Sequence, residues 1–214
     1  SEQGAAKQGE TRDALAKLNP KYVSFTFGAG GSTQEGTIET VREMTQAGLD
    51  TAPHLSCIGS SRDDIRALLN GYIEMGVKRI VALRGDMPSG MREAGAFHYA
   101  NELVEFIRSE TGDHFHIEVA AYPEFHPQAE SAEADLDNFA NKVKAGADAA
   151  ITQYFYNLDG YLRFVEECEK RNVEIPIVPG IMPITNIKNL ARFSEMCGAD
   201  IPRWLRLRLE SYGD

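Results

Sequence analysis

The 214-residue chain is long enough for one sizeable domain or two small ones, and at 43% hydrophobic and 25% charged it has the composition of a globular protein, not a disordered one. Its net charge of −10 argues against nucleic acid as a partner, yet a few placed cations can still hold an anionic small ligand. No apolar run is long enough for a membrane span, and the polar start "SEQGAAKQGETRD" lacks a signal-peptide core. Three scattered cysteines, Cys57, Cys168 and Cys197, fit neither a disulfide framework nor a zinc site, so a cytoplasmic protein is expected.

A helix is predicted first, over "TRDALAKLNP". Six runs rich in β-branched and aromatic residues follow: "KYVSFTF", "TAPHLSC", "RIVALRG", "HIEVAAY", "AAITQYF" and "IPIVPGI". Their near-continuous apolarity marks strands buried on both faces, as in a parallel sheet. Between them lie stretches of helical periodicity, with capping-box patterns at Ser32/Glu35 and Ser61/Asp64 and helix-ending glycines at 48, 76, 112, 146 and 198. Strand–helix alternation without an internal linker predicts one α/β domain over 1–214. Each strand ends in a group able to do chemistry: Thr26, His54, Asp86, Tyr122, Gln153 and then a Pro179-Gly180 turn. A doubly wound sheet gathers such groups at one switch point, whereas a (β/α)8 barrel draws them from many strand ends. This distribution favours a TIM-type barrel, with six of its eight strands in the sequence.

Several stretches qualify as sites, each with a plainer reading beside it. "FGAGGST" (27–33) looks like a phosphate loop but has Thr33 where a dinucleotide fingerprint needs its third glycine. His54, alone in an apolar strand, stands where a histidine is more often a satisfied core group than a ligand. Arg84-Gly85-Asp86 would be an adhesion motif in a secreted protein; in a reducing compartment a strand-end site is the better reading. There Gly85 lets a ligand approach the backbone, and the Asp86 carboxylate can orient a ring or stabilise a developing cation. His114 and His116 have the spacing of barrel metallohydrolases, but they precede their strand and no further ligands complete a shell. In "AAYPEFHPQAESAEADLDNFANKVKAGAD" (120–148), two prolines hold the loop bearing Tyr122 and His126 extended. Leu136, Phe139 and Val143 then form an apolar stripe, flanked by Asp135, Asn138 and Lys142 at i, i+3 and i+7. That second face is either solvated or a seat for a ribose, adenine or phosphate group.

In order, "VSFTFGA", "APHLSCI", "IVALRGD", "VAAYPEFHP", "ADLDNFANKVKAGAD", "AITQYFY" and "IVPGIMPI" resemble the methylenetetrahydrofolate reductase family, in its bacterial single-domain type, from about Lys21 to Tyr212. The resemblance implies FAD across the C-terminal mouth of the barrel. Thr26, His54, Arg84, Gly85 and Asp86 match positions around the flavin and ribityl chain, and Tyr99 and Ala100 match a further contact. Tyr122, His126 and Ala129 match the loop that holds the cofactor. Asp135, Asn138 and Lys142 match the helix that meets its ribose, phosphates and adenine end. Ala147 falls in the turn after that helix, and Gln153 matches a substrate contact. The implied reaction is ping-pong: NADH or NADPH reduces FAD, which then reduces 5,10-methylenetetrahydrofolate to 5-methyltetrahydrofolate. Asp86 would be catalytic and would also touch substrate. The partners implied are these small molecules and further copies of the chain, with no metal, nucleic acid or membrane. The family's Glu-bearing first strand and its eighth strand have no counterpart in the sequence. The alternatives are a non-catalytic FAD-binding fragment and a metal-dependent barrel hydrolase.

Overall fold

Each of the six apolar runs forms a strand, and the strands lie side by side in chain order, all parallel. They are β1 (Val23–Phe25), β2 (Thr51–Ser56), β3 (Arg79–Leu83), β4 (His116–Ala121), β5 (Ala149–Tyr154) and β6 (Ile177–Gly180). Helices follow them in alternation: α1 (Gln34–Gln46), α2 (Arg62–Glu74), α3 (Ala100–Thr111), α4 (Ala132–Lys144), α5 (Leu158–Lys170) and α6 (Ile187–Cys197), with α7 (Arg203–Glu210) last. The computed structural model describes Ala14 and residues 17–26, 34–85 and 95–212. Of the helix expected over "TRDALAKLNP", Ala14 is helical, residues 17–20 form a turn and irregular backbone, and residues 11–13, 15 and 16 lie outside the described residues. So do the 27–33 loop, the side chains of the Ser32/Glu35 pattern, and Asp86.

Helix boundaries follow local chemistry. The Ser61 hydroxyl accepts from Asp64 N at 3.1 Å while Asp64 accepts from Ser61 N at 3.0 Å, the reciprocal box expected from the sequence. Ser131 caps α4 by accepting from Ala134 N. At the other ends, all five expected glycines adopt positive φ, Gly198 in a left-handed C-cap of α6.

One face of the sheet packs on the helices. Leu55, Ala82, Val119, Ala150 and Ile177 stand in one hydrogen-bonded row across β2 to β6. They join Ile65 and Leu69 of α2, Leu103 and Ile107 of α3, Phe139 of α4 and Phe164 of α5 in the main core. Leu136 and Val143 pack partly buried against it, so the apolar stripe read on α4 is its inward face. A smaller cluster of Tyr154, Leu190, Ala199 and Ile201 seats the α6–α7 hairpin beyond the end of β5.

The other face carries charge at its N-terminal end. Tyr22, one residue before β1, donates its hydroxyl to Glu118 Oε2 on β4 at 2.6 Å, and Arg79 on β3 donates to Glu118 Oε1 at 2.8 Å. In a flat sheet, strands three places apart lie roughly 14 Å apart, and side chains standing perpendicular to it would not meet. The sheet is therefore curled, half of a TIM-type barrel, concave toward Glu118. Its edges are β1 and β6, which do not pair with one another among the described residues. At one point the path differs from expectation. Pro179-Gly180 is not a turn but the end of β6, because Gly180 pairs with Tyr154 and donates its N–H to Thr152 Oγ1 at 2.8 Å. A Cβ at Gly180 would lie 2.3 Å from Thr152 O, so only glycine allows that approach.

Glu118 is 2% exposed, so removing its carboxylate strands a half-buried guanidinium and a phenol. Glu118→Ala should cost about 3–5 kcal/mol, against about 1 kcal/mol for Tyr22→Phe, which deletes a single hydrogen bond. Urea denaturation midpoints check this; equal losses in the two variants would contradict the central place of Glu118.

Candidate functional site

A cleft of about 300 Å³ opens where the C-terminal ends of β3 and β4 meet α4 and the start of α3. This is the end of the strands at which barrel proteins carry their chemistry. Arg84 and Gly85 contribute from the end of β3, and Tyr99 and Ala100 from the start of α3. Tyr122, His126 and Ala129 come from the loop after β4, and Asp135, Asn138 and Lys142 from α4. The i, i+3, i+7 stripe therefore lines the cleft, with Asp135 and Lys142 half-buried and Asn138 exposed. Thr26 and His54 lie outside it. The Thr26 carbonyl accepts weakly from Thr37 Oγ1 at 3.4 Å, and His54, half-buried on β2, has its pKa lowered by burial, with Glu118 opposing. Gln153 sits on the far side of Tyr122, in a small space shared with Glu124, Tyr154 and Gly198. Ala147 is buried in the main core, in the turn after α4.

Five contacts shape the walls. Lys142 Nζ donates to the Ala120 carbonyl at 2.5 Å, closing α4 onto β4. Asp135 Oδ2 accepts from His126 N at 2.9 Å, so the carboxylate fixes the loop as well as lining the cleft. The Tyr122 and His126 rings meet edge to face, with centroids 4.6 Å apart. Arg84 Nη2 donates to Gln128 Oε1, joining β3 to the same loop, while Gln128 N donates to His126 Nδ1 at 3.0 Å. Gln128 and Asn101 both line the cleft and were not singled out in the sequence. Gln128 carried a usable signal, since it lies between His126 and Ala129 in a loop already marked.

Gly85 has φ +84, and a Cβ there would come within 2.0 Å of Ser56 Oγ. The left-handed turn and the crowded neighbour both demand glycine, and its bare backbone forms part of the cleft wall. Lys142 is the strongest electrostatic feature. Burial pushes its pKa down to about 8, with the negative charge of Asp135 pulling the other way, and it makes no ion pair among the described residues. The cleft thus combines one desolvated ammonium, the Arg84 guanidinium, a carboxylate, an imidazole, three amides and two phenols. That set can hold an anionic group together with sugar hydroxyls.

The two histidines of the His-x-His pattern lie at the opposite end of the sheet. His114 Nε2 is 3.1 Å from the Val77 carbonyl, and His116 stands 4.0 Å from Glu118 and Asp148. Among the described residues no group of three metal-binding side chains forms, and no helix is long and apolar enough to cross a membrane.

A curled parallel β/α sheet with a polar cleft at the C-terminal ends of its strands defines a barrel-type α/β protein. The family profile of methylenetetrahydrofolate reductase matches residues 1–214. A 5,10-methylenetetrahydrofolate reductase of Pectobacterium carotovorum subsp. carotovorum is 46% identical over 197 residues, covering 90% of this chain and 64% of its own length. The corresponding protein of Escherichia coli (strain K12) is 41% identical over 203 residues, covering 94% of this chain and 67% of its own length. The chain belongs to the methylenetetrahydrofolate reductase family, and it spans about two thirds of the length of these relatives. Among solved structures, an uncharacterized protein from Clostridium thermocellum that binds two copies of 5-methyl-5,6,7,8-tetrahydrofolic acid superposes with a TM-score of 0.55 at 16% identity. The likeness covers 90% of this chain and 76% of that one. A phosphonopyruvate hydrolase reaches 0.57 at 14% identity, over 86% and 65% of the two chains. At such identities these two likenesses speak for the fold alone.

The depressed pKa of Lys142 makes a prediction for any diphosphate-bearing ligand. Without ligand the ammonium loses its proton as pH rises past about 8. An anion in the cleft favours the protonated form, so its binding should take up a proton and weaken above that pH. The folded-state pKa lies below the unfolded value, so burial of Lys142 costs stability below about pH 8 and the cost fades as pH rises toward 10.5. Lys142→Met should therefore flatten the pH dependence of ADP binding while leaving the neutral-pH fold at least as stable. Titration calorimetry at pH 7 and 9 checks it; an unchanged pH profile in the variant would remove Lys142 from the site.

Proposed function

We propose that this chain is the barrel of an enzyme that reduces 5,10-methylenetetrahydrofolate to 5-methyltetrahydrofolate with NADH or NADPH. FAD, bound at the cleft, would supply the hydride relay between the two substrates, which take turns in a ping-pong sequence. The observation that carries the reading is convergence. Residues from four separated motifs, in the order in which the family has them, line one cleft at the strand ends. The same reading takes the assembly as a homo-oligomer.

The residues present fit a phosphate-bearing flavin. Lys142, held only to a neutral carbonyl, has its charge available for a pyrophosphate, and Arg84 stands across the cleft as a second cation. Asn138 and the free oxygen of Asp135 offer partners for sugar hydroxyls. Tyr122 and His126, braced against each other, present a rigid edge to the ligand. Thr26, His54 and Gly85 would meet the flavin end, and Ala100 and Tyr99 its flank. Gln153, beyond Tyr122, would orient the folate.

Asp86 has the role that needs a charge. Its carboxylate would stabilise the cationic iminium form of the folate, an interaction stronger in the transition state than in the ground state. The nicotinamide half also forms a cation, as NADH becomes NAD+, but it sends electron density into the flavin, which the same carboxylate would disfavour, so there the two effects oppose one another. Asp86→Asn should therefore slow folate reduction by a factor of about 10² or more, and slow oxidation of NADH by the loaded enzyme far less. Stopped-flow measurement of each half-reaction checks this, and equal slowing of both would count against the electrostatic role. The reading as a whole is tested more simply. Purified or FAD-reconstituted protein should show the two visible absorption bands of a bound flavin; a chain that takes up no FAD refutes the assignment.

A further inference from the structure

The loop that lines the cleft has a second side. Tyr122, His126 and Ala129 face the cleft, but Glu124 between them turns away from it. Glu124 Oε2 accepts from Asp200 N at 2.9 Å, on the turn between α6 and α7. Three residues further, the Pro127 ring packs on Gly198, where a Cβ would lie 3.0 Å from Pro127 Cγ. Gly198 holds φ +70, so both the backbone and the contact require glycine there. The Glu124 stem also lies against the first turn of α5, 3.7 Å from where a Cβ on Gly160 would stand. On the cleft side the same loop is held by Asp135 through His126 N. The loop is thus clamped between α4 and the α6–α7 hairpin, with Glu124 the polar link on the hairpin side.

The cost of this link is visible. Glu124 Oε1 is buried with no hydrogen-bond partner among the described residues. A buried, half-satisfied carboxylate is expensive, and a glutamate exposed on the loop would avoid the cost. Burial accordingly raises its pKa, with the Asp200 N–H opposing and the Asp200 charge adding to the rise.

We infer that Glu124 is a positioning residue that pins the Tyr122–Ala129 loop to the α6–α7 hairpin, so that filling the cleft and ordering the hairpin are coupled. The inference deepens the proposed FAD site and rests on it for the ligand used below. Coupling of this kind needs a contiguous element that both sites bias, and the doubly clamped loop is that element.

Hydrogen exchange on the full chain, with and without FAD, is the test. In the wild type, FAD should slow exchange across residues 187–210, although none of them lines the cleft. Glu124→Gln keeps an oxygen to accept from Asp200 N and should retain that protection, with FAD affinity within about twofold of the wild type. Glu124→Ala should abolish it and weaken FAD about tenfold, the worth of one hydrogen bond to a charged acceptor. Gly198→Ala attacks the same seam from the hairpin and should also weaken FAD, by about three- to tenfold. It decides the matter if the Glu124→Ala protein does not fold.

A pH signature separates the link from mere packing. The folded-state pKa of Glu124 is raised, so ionising it costs stability as pH rises through that pKa, and Glu124→Gln should remove this slope. Wild-type hairpin protection that persists in Glu124→Ala and Gly198→Ala, with unchanged FAD affinity, overturns the inference while leaving the FAD site standing. If the wild type binds no FAD, the proposed site falls, and the exchange rate of the Asp200 amide without ligand decides the link. It should rise about tenfold in Glu124→Ala, and an unchanged rate overturns the inference.

Discussion

The carboxylate of Glu118 sits under three strands at once. It accepts from Tyr22 beside β1 and from Arg79 on β3 while belonging to β4, and Arg79 in turn stacks over the Tyr22 ring, 4.6 Å from its centroid. Nothing apolar could do this work, because hydrophobic packing is non-directional and would not select one curvature. A carboxylate with two converging donors does select one, since a flatter sheet would leave a buried charge unpaired. The curl has its effect at the opposite end of the strands. It turns strand ends that a flat sheet would lay in a row toward a common mouth.

At that mouth the net charge of −10 matters less than where individual charges lie. Lys142 reaches the cleft because α4 buries Phe139 and half-buries Leu136 and Val143, which fixes the rotation of the helix. With that rotation set, the stripe of Asp135, Asn138 and Lys142 points to the ends of β3 and β4. The ammonium sits among low-dielectric neighbours, with the Phe139 ring 5.5 Å away and a carbonyl as its hydrogen-bond partner. A desolvated cation there interacts more strongly with an anion than the many exposed carboxylates can repel it. On the proposed reading, the preference of the cleft for phosphate-bearing ligands would follow from helix packing.

What could be read in the sequence was whatever repeats with a fixed period or sits next to its own partner. The six strands announced themselves as apolar runs, and Ser61 with Asp64 marked a helix start that the backbone obeys. The α4 stripe was legible because helical spacing is enough to place three side chains on one face. Contacts between distant segments were not legible. No pattern connects Tyr22 to Glu118 or Glu124 to Asp200, 76 residues apart, since each pairing exists only once the sheet has curled. Pro179-Gly180 misled for a related reason. The pair reads locally as a turn, and only the Thr152 hydroxyl and carbonyl on the neighbouring strand make it strand. Gln128 was passed over because its partner, Arg84, comes from another motif.

The position of the cleft within the sheet separates two parts of the proposed chemistry. β3 and β4 are the two central strands, each with neighbours on both sides, while β1 and β6 are edges. The proposed anion site of Arg84, Asn138 and Lys142 therefore depends on strands that are fully paired. Thr26, at the end of β1, and Gln153, on β5 beside the β6 edge, stand nearer the open sides. Val178 on β6 is 45% exposed, and Ile181 just beyond it 84%, so apolar side chains there still face solvent. On the proposed assignment, the phosphate and adenine end of FAD rests on the closed middle of the sheet, while the flavin contact of Thr26 and the folate contact of Gln153 lie at its margins. Perturbing an edge should then disturb turnover before it disturbs FAD binding.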